Sequence, residues 1–197
     1  MVKSKTLEPK LGRQDWVKAG LAVLAESGVA GVRVEPLAKL MKVTKGSFYW
    51  HFKDRNDLLD AILEEWVQLD TIGIIELVDR MDATPKTKLL RLFELDIEDD
   101  GVTPGLADGR IENAIRAWAT NDPKVAAVLA NVDRQRLEYT QNLFMQIGFS
   151  PIEALARARL AYYSLIGELA IGNLADRAER LAETRLQHSI LTAPISI

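Results

Sequence analysis

The chain has 197 residues, 48% of them hydrophobic and 27% charged, a balance that excludes a disordered or fibrous chain and allows one domain with an appendage or two small domains. Lysine and arginine number 25 against 28 aspartates and glutamates, net −3, which taken alone points away from nucleic acid. Cysteine is absent and histidine occurs twice, so disulfides, thiolate zinc sites and thiol nucleophiles are excluded, and neither a metal nor a cofactor is expected.

The predicted elements are all helical, because the apolar period is near 3.6 nearly everywhere and no segment alternates as a strand does. Residues 1–12 read as a flexible basic arm in which Lys3, Lys5 and Lys10, with Arg13 after it, form a solvated tail; an arm that tracks a groove is the alternative. The first helix runs from Asp15, its N-cap, to Ser27, with Val17, Leu21 and Leu24 on one face and Gly28 as its stop. A short helix over Val34 to Met41 carries Glu35 and Pro36 in its first turn, and Thr44 caps another that reaches Phe52. From Arg55 a long amphipathic helix with Leu58, Leu59, Ile62, Leu63, Trp66 and Leu69 continues to Arg80, with Gly73 as a weak point.

Thr84 and Pro85 open a helix through Ile97, and residues 99–109 read as a loop because turn-formers accumulate there without a period. The acids Asp96, Glu98, Asp99 and Asp100 suit a solvated loop end better than a cation site. Helices follow over Arg110 to Thr120, from the Asn121-Asp122-Pro123 start to Ile147 with Gly148 as stop, from Ser150-Pro151 to Ala175, and over Arg177 to Leu191. No apolar run approaches the roughly 20 residues that cross a bilayer, and the start is polar, so a cytoplasmic protein without a membrane partner is expected. The fold class is all-α.

Charge is divided unevenly along this series. Residues 1–60 hold 11 Lys/Arg against 7 Asp/Glu, net +4, and residues 61–197 hold 14 against 21, net −7: a basic head on an acidic body. Within the head, the two short helices joined at Lys42 and Val43 space Leu37, Ala38, Val43, Phe48 and Phe52 for a core shared with the first helix, the geometry of a helix-turn-helix. The second of them is left to expose Thr44, Lys45, Gly46, Ser47, Tyr49, Trp50 and His51, hydroxyls, cations and aromatics beyond the needs of a solvated face. Gly46 costs about 1 kcal/mol relative to alanine in a helix, which close approach to another backbone would justify. The free N–H groups of this helix start suit a phosphate. Tyr49 and Trp50 could instead be core, but Phe48 and Phe52 already fill the apolar period. His51 has no second ligand at helical spacing.

The stretch VTKGSFYWHFKDRNDLL, Val43 to Leu59, with Gly28 to Ala38 before it, resembles the DNA-binding domain of the TetR family of bacterial transcriptional repressors. It matches that family's recognition-helix pattern at Lys45, Gly46, Ser47, Phe48, Tyr49, His51, Phe52, Arg55, Leu58 and Leu59, within a likeness over residues 11–65. The resemblance implies that Lys45 and Ser47 meet base edges or nearby phosphates, that Tyr49, His51 and Arg55 hold the phosphate backbone, and that Phe48 and Phe52 are core. Two positions depart from the pattern: Lys42 stands where the family has glycine in the turn, and Arg33 where it has a threonine cap, which puts two cations near the backbone. The candidate DNA-binding residues are therefore Arg33, Lys42, Thr44, Lys45, Gly46, Ser47, Tyr49, Trp50, His51 and Arg55, in a helix-turn-helix domain of residues 13–55.

Residues 56–197 are expected to bind an effector and to dimerise. A small head of net +4 grips DNA weakly alone, so two are needed. The segment from Pro151 is apolar around much of its circumference, and Leu155, Ala158, Tyr162, Leu165, Ile166 and Leu169, with Leu186 of the last helix, are the interface candidates; an internal helix hairpin is the alternative. The resemblance implies a four-helix bundle across a two-fold axis. It also implies an effector pocket in the middle helices, with Trp66, Phe93, Glu112, Arg116, Trp118, Tyr139, Asn142 and Met145 as candidates, although aromatics at helical spacing are often plain core. No nucleophile beside a base, phosphate-binding glycine loop or metal-ligand cluster suggests an enzyme. The expected function is a sequence-specific DNA-binding transcriptional regulator, a homodimeric repressor that releases a palindromic double-stranded operator on binding a small molecule; the alternative is a helical small-molecule-binding dimer that does not bind DNA.

Overall fold

The computed structural model describes residues 11–95, 97, 109–172 and 175–194, and every regular element among them is helical. Helix α1 (Arg13–Gly31) starts at Gly12, whose N–H donates to Asp15 Oδ2 at 2.7 Å while its carbonyl accepts from the Asp15 N–H at 3.1 Å. Asp15 is thus the acid inside the first turn that closes the cap, where it was expected to be the cap itself. Gly28 interrupts α1 at φ 64, with no atom within 4 Å of where a Cβ would stand; the backbone angle, not crowding, calls for glycine there.

Helices α2 (Val34–Leu40) and α3 (Lys45–Phe48) flank a turn in which Lys42 has φ 56 and the Val43 N–H donates to the Ala38 carbonyl at 2.9 Å. Thr44 caps α3 as expected, accepting from the Ser47 N–H at 3.3 Å, but α3 is shorter than the Thr44-to-Phe52 helix its sequence suggests. The N–H groups of Trp50 and His51 bond three residues back, to Ser47 and Phe48, so the chain tightens after one turn.

The long helix expected from Arg55 is present in three parts: α4 (Arg55–Val67), a π turn (Gln68–Ile72) and α5 (Gly73–Asp79). A Cβ on Gly73 would lie 3.0 Å from the Gln68 carbonyl oxygen, so the wide turn leaves room for little more than glycine. Helix α6 (Pro85–Glu94) is capped by Thr84, α8 (Pro123–Ile147) by Asp122 and α10 (Arg177–Thr192) by Asp176, and α7 (Gly109–Ala119) precedes α8. Gly148, at φ 116, ends α8; Ser150 and Glu153 close a capping box on α9 (Pro151–Ile171), which stops at Gly172 rather than reaching Ala175. The arm of residues 1–10, the acids Asp96, Glu98, Asp99 and Asp100 and nearly all of the expected loop lie outside the described residues.

The chain divides into two units between Glu65 and Trp66, later than residue 55. The reason lies in α4: Leu58 and Ile62 are fully buried in the head, where Ile62 packs over Gly20 of α1. Trp16, Leu24, Leu37, Phe48 and Phe52 complete this core; Trp16 meets Phe48 edge-on at 5.3 Å and Phe48 stacks on Phe52 at 5.3 Å. In the second unit α8 is central and packs against α6, α7 and α9, while α10 lies on α6. Leu89, Leu143, Phe144, Ala154 and Ala158 form the heart of its core. No helix among the described residues is long and apolar enough to cross a membrane.

Candidate functional site

Burial in the first unit sorts the α3 segment into two sets. Phe48 and Phe52 are buried, whereas Tyr49 is 55% and Trp50 87% exposed, with Tyr49 held edge-on against Phe48 at 5.2 Å. A tryptophan that exposed on a surface built around three buried aromatics is not filling a core. Thr44, Lys45 and Gly46 are exposed and Ser47 and His51 half-buried. Arg33, Pro36, Lys39, Lys45 and Tyr49 line one groove, with Glu35 as its acid. Lys45 Nζ donates to Glu35 Oε1 at 2.6 Å; this contact lowers the Glu35 carboxyl and raises the Lys45 ammonium, so both stay charged. Lys42 is exposed beside them in sequence, at the turn.

Arg55 is engaged within the head. Its Nε donates to the Val32 carbonyl at 2.6 Å and its Nη2 to the Val29 carbonyl at 2.5 Å, both at the C-terminal end of α1. Carbonyls left over at a helix end are strong acceptors, and they engage two of the donors that a phosphate would use.

The second unit holds a partly open cavity of about 150 Å³ between the π turn, α5, α6, α7, α8, α9 and α10. Of the eight expected residues, Phe93, Glu112 and Tyr139 line it. The other five stand off its wall. Trp66 is fully buried under the Arg136 guanidinium, 5.4 Å from its ring centroid. Trp118 Nε1 donates to Asp122 Oδ2 at 3.2 Å, Arg116 pairs with Asp133 at 2.7 Å, and Asn142 and Met145 lie on the exposed side of α8.

The residue that sequence reasoning missed is Arg136. Its Nε donates to Thr71 Oγ1 at 3.0 Å, its Nη1 to Glu112 Oε2 at 3.1 Å and its Nη2 to the Asp70 carbonyl at 3.3 Å. One guanidinium thus ties the cavity wall to the π turn. The signal was available: Val132, Thr140 and Leu143 are buried at helical spacing, and Arg136 interrupts that stripe. Glu112 also pairs with Arg116 at 2.7 Å, and the Tyr162 hydroxyl donates to Asp133 Oδ1 at 2.6 Å. Burial pushes the Tyr162 phenol up to about 12, the Arg136 charge opposing and the Asp133 hydrogen bond adding. Burial and then the Asp79 carboxylate raise Tyr139 as well.

Most of the expected dimer residues turn inward on α9. Ala158 and Tyr162 are buried, Leu165 and Leu169 line the cavity, and Leu155 and Ile166 are half-buried. These residues recur at three and four along the side of α9 turned to α8, so their apolar character serves the unit itself. The opposite side carries Ile152 (74% exposed), Leu160 and Tyr163, and α10 exposes Leu186 and Ile190; of the expected set only Leu186 is on such a surface.

Residues 17–62 match the model of the bacterial regulatory proteins of the tetR family. Over 77 residues the chain is 34% identical to the HTH-type transcriptional regulator AcrR of Shigella flexneri, covering 39% of this chain and 35% of that one. Over 61 residues it is 33% identical to the class C tetracycline repressor of Escherichia coli, covering 31% and 28%. The chain thus spans about a third of the length of these relatives. A transcriptional regulator of the TetR/AcrR family from Thermobifida fusca YX-ER1 has the same fold, with a TM-score of 0.63 over 94% of this chain and 98% of that one at 14% identity. The head thus matches the tetR family of bacterial regulatory proteins, and the fold of a TetR/AcrR-family regulator is shared along nearly the whole chain.

Proposed function

We propose that this protein is a sequence-specific DNA-binding transcriptional regulator: a homodimeric, ligand-responsive repressor that acts in the cytoplasm and releases a palindromic operator when a small molecule binds its second unit. The observation that carries the reading is the exposure of Tyr49 and Trp50 beside Lys45, next to ring neighbours that are fully buried, on the segment that matches the family. Lys45, Ser47, Tyr49 and Trp50 are the residues assigned to base edges and phosphates, with Arg33, Lys39 and Lys42 adding charge along the backbone. Arg55 holds α1 to α4 and contacts DNA little or not at all.

Two heads are needed for a two-fold operator, and the apolar sides of α9 and α10 support a dimer through Leu160, Tyr163, Leu186 and Ile190. The cavity supports an effector site. An occupant there touches Arg136, which holds the π turn that continues α4, so the signal enters the connecting helix at that point.

Selection of bound duplexes from a random library with the purified chain tests the reading. Enrichment of a two-fold symmetric sequence is expected, with affinity falling as salt rises. Tyr49→Ala should weaken binding to the selected duplex about tenfold or more with an unchanged circular-dichroism spectrum. A library that yields no symmetric sequence, while the chain still dimerises and binds small molecules, would leave the non-DNA-binding reading in its place.

A further inference from the structure

Resting on the reading of the second unit as an effector site, we propose that its cavity selects an uncharged, largely apolar molecule about the size of one six-membered ring, carrying a hydroxyl or carbonyl, and rejects organic ions of equal size. Volume gives the first argument. About 150 Å³ walled by Ile74, Ile75, Leu92, Leu165 and Leu169, partly open to solvent, is the space that a benzene-sized molecule of roughly six to ten non-hydrogen atoms fills.

Charge gives the second. Among the described residues, each ionic group on the wall already has its partner. Arg136 is held by Glu112 at 3.1 Å, Glu112 in turn by Arg116 at 2.7 Å, and Glu168 by Arg180 at 2.8 Å, while Asp70 is engaged as well. A carboxylate entering the cavity gains Arg136 only by taking it from Glu112, which then stays buried with one cation fewer. An ammonium gains Glu112 only by taking it from Arg136, whose other bonds hold the π turn. Separating such a buried pair lowers affinity by about a hundredfold or more. A neutral ligand leaves the pairs intact, and Ser164, Thr184 and Gln187 on the wall offer uncharged groups for its hydroxyl or carbonyl.

The test uses three probes of one size on the purified full chain without DNA: benzyl alcohol, benzoate and benzylammonium, followed by calorimetry and thermal shift near pH 7. Benzyl alcohol should bind saturably and raise the melting temperature, with either ion weaker by about a hundredfold or more. Leu165→Trp, or Ala161→Leu if the first variant loses its helical spectrum, should fill the cavity and abolish the shift. Glu112→Gln should move the preference toward benzoate by freeing Arg136. Benzoate or benzylammonium binding as tightly as the alcohol, no binding of the alcohol, or a shift that survives both filling variants would overturn the proposal. Because no DNA is present, its failure leaves the operator-binding reading standing, and a failed operator selection leaves this measurement intact.

Discussion

Lys42 occupies a backbone conformation that L residues adopt at a cost of about 1 kcal/mol, because its Cβ crowds the following carbonyl. The family pattern has glycine at this position, and φ 56 is the conformation that glycine supplies without strain. Lys42→Gly should therefore raise the unfolding midpoint in urea by about 1 kcal/mol equivalent while weakening duplex binding through the lost cation. A lower midpoint would mean that the lysine side chain contributes to the fold. Arg55 leads to the reverse expectation. Its guanidinium donates to two carbonyls at the end of α1, and Arg55→Ala should cost about 2 kcal/mol of stability. The salt dependence of duplex binding by the folded variant should stay as in the parent; a slope reduced by about one would restore the phosphate role. No sequence pattern distinguishes these two uses of an arginine, since both place it at the start of α4.

At the scale of the element, caps and stops were legible. Thr44, Thr84, Asp122 and Ser150 begin helices where their side-chain oxygens predict, and Gly148 ends one because only its left-handed backbone closes the last turn. What stayed hidden was which side of an apolar helix faces inward. Leu160 and Leu165 are equally apolar, yet Leu165 lines the cavity and Leu160 is 63% exposed; the sequence of α9 alone contains both stripes, and only the position of α8 separates them. The α6–α10 contact carries a further prediction. His188 Nε2 donates to the Lys86 carbonyl at 3.0 Å with Phe93 edge-on to its ring, and burial lowers its pKa below the usual 6.5. The unfolded chain then binds a proton near pH 6 that the folded one resists, so stability present above pH 6.5 falls as pH drops through that region. Urea unfolding at pH 7.5 and 5.5 should show a smaller acid-side loss for His188→Gln than for the parent.

For the whole molecule the net charge of −3 was the least informative number, and its division the most. The head's groove with Arg33, Lys39 and Lys45 agrees with the +4 of residues 1–60, and the TetR-like motif made the helix-turn-helix readable residue by residue. The cavity was readable only in part, since it is assembled from short stretches of six helices and a π turn; Phe93, Glu112 and Tyr139 were visible as candidates, whereas Arg136 gains its meaning from Asp70 and Thr71, distant in sequence. The exposed apolar residues of α9 and α10 set the assembly-scale prediction. Leu160→Arg with Ile190→Arg should give a monomer by sedimentation with an unchanged helical spectrum, and affinity for a two-fold duplex should fall about a hundredfold as bivalency is lost. A double variant that remains dimeric would move the interface elsewhere.

The π turn at Gln68–Ile72 also acts as a reserve of chain. A π turn accommodates one residue more than an α turn, and here the surplus is pinned by Arg136 at Thr71 and at the Asp70 carbonyl. Were that residue fed into regular α geometry, each α-helical residue would add 1.5 Å of length and, at 3.6 residues per turn, about 100° of rotation. One guanidinium, through Thr71 and the Asp70 carbonyl, thus holds the middle of the wide turn that joins α4 to α5.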